Sequence, residues 1–189
     1  MKTSVPLQFD TPSTAAWQID PIASTVDFAI EERMAFVKRR TVTGCFAGVA
    51  GTIALDRHHP ATSQVEIAID ARTVDTGDAR RDKNLRGKHF FDTASCPTIT
   101  FASRWCDLAD ASAGRYRATG YLTVRGITRE IAIEAEGTLS ASFARIAATF
   151  VLDRRDFGMT RGNPFLWIAD DVRISVALEA KAIAAAKAA

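Results

Sequence analysis

Polar and apolar residues alternate with a period of two along most of the chain. Thr25–Ile30 places Val26, Phe28 and Ile30 on one face. Ser63–Asp70 places Val65, Ile67 and Ile69 opposite Gln64, Glu66 and Asp70. Ile131 and Ile133 oppose Glu130, Glu134 and Glu136, and Val172, Ile174, Val176 and Leu178 oppose Arg173, Ser175 and Glu179. Successive side chains of a strand point to opposite faces, so each segment has a dry and a wet side. Several such strands joined by short turns predict an antiparallel sandwich or barrel. Arg125-Gly126 separates two alternating runs and predicts a tight hairpin, because glycine accepts positive φ. Gly44, Gly48 and Gly51 punctuate a further apolar strand, where bulges or barrel corners are expected. Two stretches interrupt the alternation. Glu31–Arg40 and Asp78–Phe91 hold few β-branched residues and many helix formers, which predicts a short helix in each. Residues 1–16 read as an N-terminal extension, and Lys181–Ala189 as an Ala-rich, frayed helical tail.

An eight-stranded barrel is just wide enough to be packed solid or to hold one small ligand. In Tyr116–Val124 the inward phase is Tyr116, Ala118, Gly120, Leu122 and Val124, with small residues in mid-strand. In Ala144–Leu152, Ala148 shares its phase with Ile146 and Phe150. These small residues allow a cavity, and bulky neighbours such as Phe101 or Trp105 could equally fill it. Patterning alone leaves the two readings even. The chain has 11 Phe and 3 Trp but only 2 Tyr. A Phe-lined cavity suits a hydrocarbon tail, although a Phe stripe is more often plain core. Two adjacent aromatics cannot both point inward from a regular strand, so one of Phe90 and Phe91 is expected at a rim or under a helix.

Charge and chemistry narrow the function. A length of 189 residues suits one domain, and 24 Lys and Arg against 22 Asp and Glu give a net charge of +2. Nothing in that balance calls for nucleic acid. Lys38-Arg39-Arg40 and Arg80-Arg81-Asp82-Lys83 read first as solvated surface and second as contacts for anionic headgroups. Cys45, Cys96 and Cys106 are odd in number and unclustered, so free, buried or half-buried thiols are expected rather than disulfides or zinc ligands. His58-His59-Pro60 reads as an exposed turn, and His89 as surface or structure. No nucleophile elbow or Cys/His signature appears, so the chain does not read as an enzyme. No apolar run approaches the roughly 20 residues of a spanning helix. Met1–Ala16 contains Pro6, Asp10 and Pro12 and no continuous apolar stretch, which predicts a cytoplasmic protein, or a periplasmic one from which a leader has been removed.

Three ordered motifs add a resemblance. Asp82–Ser103 runs from a charged, helix-compatible segment through Phe90-Phe91 and a turn with Pro97 into an alternating strand. Gly120–Arg129 carries the Arg-Gly hairpin, and Arg154–Gly158 reads R-R-D-F-G. Together they resemble the signatures of the YceI-like family, lipocalin-like barrels associated with polyisoprenoid lipids. The resemblance spans residues 17–180 and includes the Trp17–Asp20 opening and Gly44-x-Phe46. It implies an all-β, antiparallel, lipocalin-like eight-stranded barrel with one or two short helices. It tips the cavity question toward a hollow interior. It also implies an isoprenoid lipid or quinone as ligand, bound for transport, storage or protection, with no cofactor, and a homodimer. The implied tail contacts are Phe28, Phe46, Phe90, Phe91, Phe101, Ala118, Gly120, Phe150 and Ile174, with Arg86, Arg125 and Arg155 at a polar mouth. The chain departs from the family's pattern where Ala23-Ser24 replaces a His-Ser pair and Glu31-Glu32 replaces a further His. Both losses are expected at one end of the domain. A carboxylate there would repel a pyrophosphate and favour a quinone or neutral lipid. Two rival functions remain open. One is an enzyme on a quinone or prenyl substrate, which needs a polar group in the cavity with a perturbed pKa. The other is a packed interaction module without ligand.

Overall fold

The computed structural model describes residues 14–34, 39–56, 62–110, 114–160 and 166–183. Its strands are β1 (Thr14–Ile19), β2 (Thr25–Met34), β3 (Arg40–Phe46), β4 (Val49–Asp56), β5 (Gln64–Asp70), β6 (Thr98–Asp110), β7 (Arg115–Val124), β8 (Ile127–Leu139), β9 (Phe143–Asp153) and β10 (Leu166–Ile183). A helix, α1 (Ala79–Arg86), lies between β5 and β6, and 3-10 turns follow β5 (Ala71–Thr73) and β9 (Arg154–Phe157). All pairings between strands are antiparallel.

Ten strand segments make eight staves. β10 pairs with β1 at one end, Ile19 facing Ala180, and with β2 over the rest, Thr25 facing Ala177. β1 and β2 are therefore two halves of one stave, joined by a turn that Asp20 holds by accepting from the main-chain N–H groups of Ile22 and Ala23. β3 pairs with β2 and β4 with β1, so these two form the neighbouring stave. The β1–β10 pairing closes the ring. Closure leaves few unpaired strand edges to be managed.

The alternation read from the sequence places the predicted strands correctly, and Arg125-Gly126 makes the tight turn between β7 and β8 with φ of 55° and 74°. The expected helix over Asp78–Phe91 is α1. Asp78 caps it by accepting from the N–H groups of Arg80 and Arg81 at 3.0 and 3.1 Å. Buried Asp82 ties it to the preceding loop by accepting from the Thr76 N–H and hydroxyl at 2.9 and 2.6 Å.

Two helix expectations fail. Glu31–Met34 continues β2, and Arg40 opens β3, with Glu32 facing Arg40 and Ile30 facing Val42. Pairing with β3 on one side and β10 on the other outweighs local helix propensity. Lys181–Ile183 extends β10 because Ala182 and Ile183 pair with Trp17 and Ala16 of β1, so the strand also reaches into the expected N-terminal extension. The rest of that tail lies outside the described residues, as do His58 and His59. Trp105 does not fill the barrel; it is 48% exposed on the outer face of β6. No described helix is long and apolar enough to cross a membrane.

Candidate functional site

The inward residues enclose a cavity of about 660 Å³. That volume falls within the roughly 300–1,000 Å³ of sites for small organic ligands. Alternation delivers its wall: Phe28 from β2, Phe46 from β3, Phe101 from β6, Ala118 from β7, Ile146, Ala148 and Phe150 from β9, and Ile174 from β10. The crossover between β5 and β6 covers one end, adding Leu85, Phe90 and Phe91. Phe90 and Phe91 sit in a turn, not a strand, so both reach the cavity. Phe91 meets Phe46 edge to face at 5.3 Å between centroids, and Phe46 meets Phe28 at 5.7 Å.

At the covered end the lining turns polar. Glu32, Arg40, Asp78, Arg80, Arg81 and Asn84 all border the cavity there. Buried Glu32 forms an ion pair with Arg40. Arg81 lies 3.5 Å from Asp78. The Asp78 carboxyl is held below its ordinary value, chiefly by the Arg81 main-chain N–H at the helix cap.

Most residues expected to touch a ligand tail border this cavity: Phe28, Phe46, Phe90, Phe91, Phe101, Ala118, Phe150 and Ile174. Gly120 does not. It sits beside a register shift in β6, and a Cβ there would lie 2.3 Å from the Ala102 carbonyl oxygen and 2.6 Å from the Ser103 Cα. It is glycine because the β6 backbone approaches closely, not because the barrel is empty there.

The three expected mouth arginines are structural. Arg86 donates to the carbonyls of Arg72 and Val74 at 3.0 and 3.1 Å. Arg125 donates to those of Gly158 and Lys88 at 2.6 and 2.9 Å. Arg155 is held by Asp153 at 2.6 Å and Asp170 at 3.1 Å, and these carboxylates raise its already high pKa. The polar end is built from Arg40, Arg80 and Arg81 instead. Their signal in the sequence was the two short basic clusters, which carry no mark of facing inward.

The family's two histidine positions do not form one site. Ala23 precedes β2, and Glu31-Glu32 lies near its far end. At about 3.3 Å per residue the two are separated by much of the barrel's height. Ser24 exchanges hydrogen bonds with the main chain of Glu179. Glu31 points outward toward Arg39, 3.9 Å away. Only Glu32 reaches the cavity, and its charge is matched by Arg40.

Cys45 and Cys96 are half-buried and Cys106 is buried, and none of the three is in a disulfide. Burial pushes the Cys45 thiol pKa up, with Asp27, Asp75 and Asp82 adding to it. Among the described residues no group of three or more His, Cys, Asp or Glu could hold a metal ion.

The profile of the YceI-like domain matches residues 17–180. The chain belongs to the YceI-like family. A UPF0312 protein of Yersinia pestis (strain Pestoides F) is 33% identical over 109 residues, which is 58% of this chain and 55% of the relative. One from Yersinia enterocolitica is 32% identical over the same length. The chain thus spans about half the length of the curated relatives it matches. Among solved structures, Burkholderia cenocepacia BcnA superposes with a TM-score of 0.71 at 22% identity, covering 85% of this chain and 98% of BcnA. A polyisoprenoid binding domain from Saccharophagus degradans, implicated in plant cell wall breakdown, superposes with a TM-score of 0.64 at 19% identity, covering 90% and 99%. At these identities the two structures establish the shared YceI-like barrel.

Proposed function

We propose that this YceI-like barrel binds a long-chain isoprenoid lipid or quinone in its interior, for transport, storage or protection. The observation that carries this reading is the cavity of about 660 Å³ whose wall is mainly hydrocarbon and phenyl, with most of its charged groups at the α1 end and Arg117 toward the other. Each CH₂ moved from water into such a wall contributes roughly 0.8 kcal/mol, so an enclosed chain needs no special chemistry to bind. The tail lies along Phe28, Phe101, Ala148 and Ile174, and the polar head sits near Arg80, Arg81 and Asn84. The polyisoprenoid-binding description of the Saccharophagus domain supports the same reading. The homodimer implied by the family is part of this proposal, and sedimentation analysis tests it separately.

Organic extraction of the purified protein followed by mass spectrometry tests the ligand. Ala148→Phe tests the cavity. The new ring enters open space, so the variant is expected to keep its melting temperature and lose the co-purified lipid. In a filled interior the same change overpacks the core and costs about 1–3 kcal/mol. A lipid-free extract from the parent, together with an early-melting Ala148→Phe, sinks the proposal. Gly120→Phe cannot serve this purpose, since its side chain would collide with the β6 backbone.

A further inference from the structure

We infer that the α1 end of the barrel is a docking surface for an anionic lipid bilayer. Residues 78–89 hold Arg80, Arg81, Lys83, Arg86 and Lys88 against Asp78 and Asp82, a surplus of three positive charges in a chain whose total is +2. Both acids are already counted in that surplus, and Asp78 keeps an exposed carboxylate beside Arg81. Asp82 is buried and bonded to Thr76, and Asp78 is engaged by the helix cap and Arg81. Lys83 and Lys88 are exposed, and their side chains make no hydrogen bond or ion pair with the described residues. The barrel wall is different. On the outside of β7 and β8 opposite charges face each other across the ladder, Arg115 against Glu136 at 3.3 Å and Arg117 against Glu134.

The same end presents an aromatic anchor. Trp167, at the start of β10, is 50% exposed, with the Arg33 guanidinium 6.0 Å from its ring centroid. Its neighbour Ile168 borders the cavity, so Trp167 stands on the outer side of the same rim. Arg39, also exposed, follows on the adjoining β2–β3 hairpin, with the Glu31 carboxylate 3.9 Å away. Basic residues near an anionic leaflet are worth about 1 kcal/mol each, and Trp favours the headgroup level, where its ring is half dry and its N–H is wet. Seated this way, the barrel presents the polar end of its cavity to the headgroups. The docking surface stands on charge and geometry; its use in loading a lipid rests on the function proposed above.

Co-sedimentation with vesicles of phosphatidylcholine alone, or containing one-third phosphatidylglycerol, tests the inference on the full chain. Binding is expected only to the anionic vesicles and is expected to fade in high salt. The double variant Lys83→Glu/Lys88→Glu is expected to bind at least about tenfold more weakly. Circular dichroism and melting temperature check that it folds like the parent. Tryptophan emission reads the orientation. Trp17 is buried, and Trp105 lies on the outer wall, toward the other end of β6. In a Trp105→Phe chain the exposed reporter is Trp167, and its emission is expected to shift to the blue on the anionic vesicles. In a Trp167→Phe chain the reporter is Trp105, and no shift is expected. Equal binding to both vesicle types, no binding at all, or a shift at Trp105 instead overturns the inference. So does a DNA duplex bound as tightly as the anionic vesicles with the same loss in the double variant, since the surface then recognises any polyanion. Docking with a lipid-free extract and an early-melting Ala148→Phe sinks only the proposed function; an extracted lipid without preference for the anionic vesicles sinks only the docking.

Discussion

Arg86, Arg125 and Arg154 stand at the same end of the barrel as Arg40, Arg80 and Arg81, yet the two sets do opposite work. The first set reaches main-chain carbonyls. Arg154 is buried and donates to Ala169, Met159 and Ile168 while pairing with Asp170 at 3.0 Å. Arg125 joins Lys88 to Gly158, and Arg86 joins α1 to the loop before it. Irregular segments leave carbonyls that no strand can satisfy, and a planar guanidinium with five donors can satisfy several at once. The second set borders the cavity, as Arg154 also does, but its side chains reach no carbonyl among the described residues and meet carboxylates where they meet anything. The lesson concerns the signature motifs. Lys88, Arg125 and Gly158 come one from each motif, and Arg125 binds all three together. The motifs anchor the cover of the barrel, and the cavity wall is drawn largely from strands outside them.

Removing a staple is expected to cost stability, as is removing Arg40 from buried Glu32, whereas removing Arg80 or Arg81 is not. Arg154→Ala leaves several carbonyls without their donor and Asp170 with Arg155 alone, and breaking a buried pair typically costs about 3–5 kcal/mol. For a chain of this size the melting temperature should fall by roughly 10 °C. Arg154→Lys should rescue it poorly, because an ammonium cannot span the same acceptors. Arg125→Ala removes two charge-assisted bonds from a half-buried site, for about 2–3 kcal/mol by thermal or urea unfolding. A loss no larger than that of a surface residue would erase the distinction between staple and rim.

A third pair of arginines sharpens the comparison through pH. Asp70 and Asp153 end β5 and β9, and each accepts from the main chain and guanidinium of the Arg two residues on. These bonds hold both carboxyls below their ordinary value. Their contribution is therefore present above the unfolded value of about 4 and is lost as pH falls through the lowered folded values. Melting curves of Asp70→Asn/Asp153→Asn should lie below the parent's at neutral pH and converge with them in acid. A gap that persists at the lowest pH would assign the effect to shape rather than charge. The smallest effect is expected for Arg80→Ala. It should change unfolding stability by under about 0.5 kcal/mol, since no described side chain pairs with Arg80. A fall like that of Arg125→Ala would move Arg80 into the structural set.

Legibility followed the range of the interaction. Val26, Phe28 and Ile30 announced β2 because alternation is local, and the helix formers of Asp78–Phe91 announced α1 because propensity is local too. Phe28 and Phe150 of the wall were legible for the same reason: their phase points them inward. Glu31–Met34 misled because helix propensity is a weak prior and two neighbouring strands overruled it. Arg86, Arg125 and Arg155 looked like a mouth because an arginine in a loop reads the same whether it faces a ligand or a carbonyl.

Gly120 marks the boundary most clearly. Ala118 and Gly120 are two small residues in one phase of one strand, and the sequence treats them alike. The alternation, the Arg125-Gly126 turn and the ordered motifs were enough by themselves to determine an antiparallel barrel of this family, because each depends on a few consecutive residues. Only the tertiary structure decided that Ala118 borders open space while Gly120 lies against the backbone of β6. A register shift between distant strands sets that difference, and nothing within β7 records it.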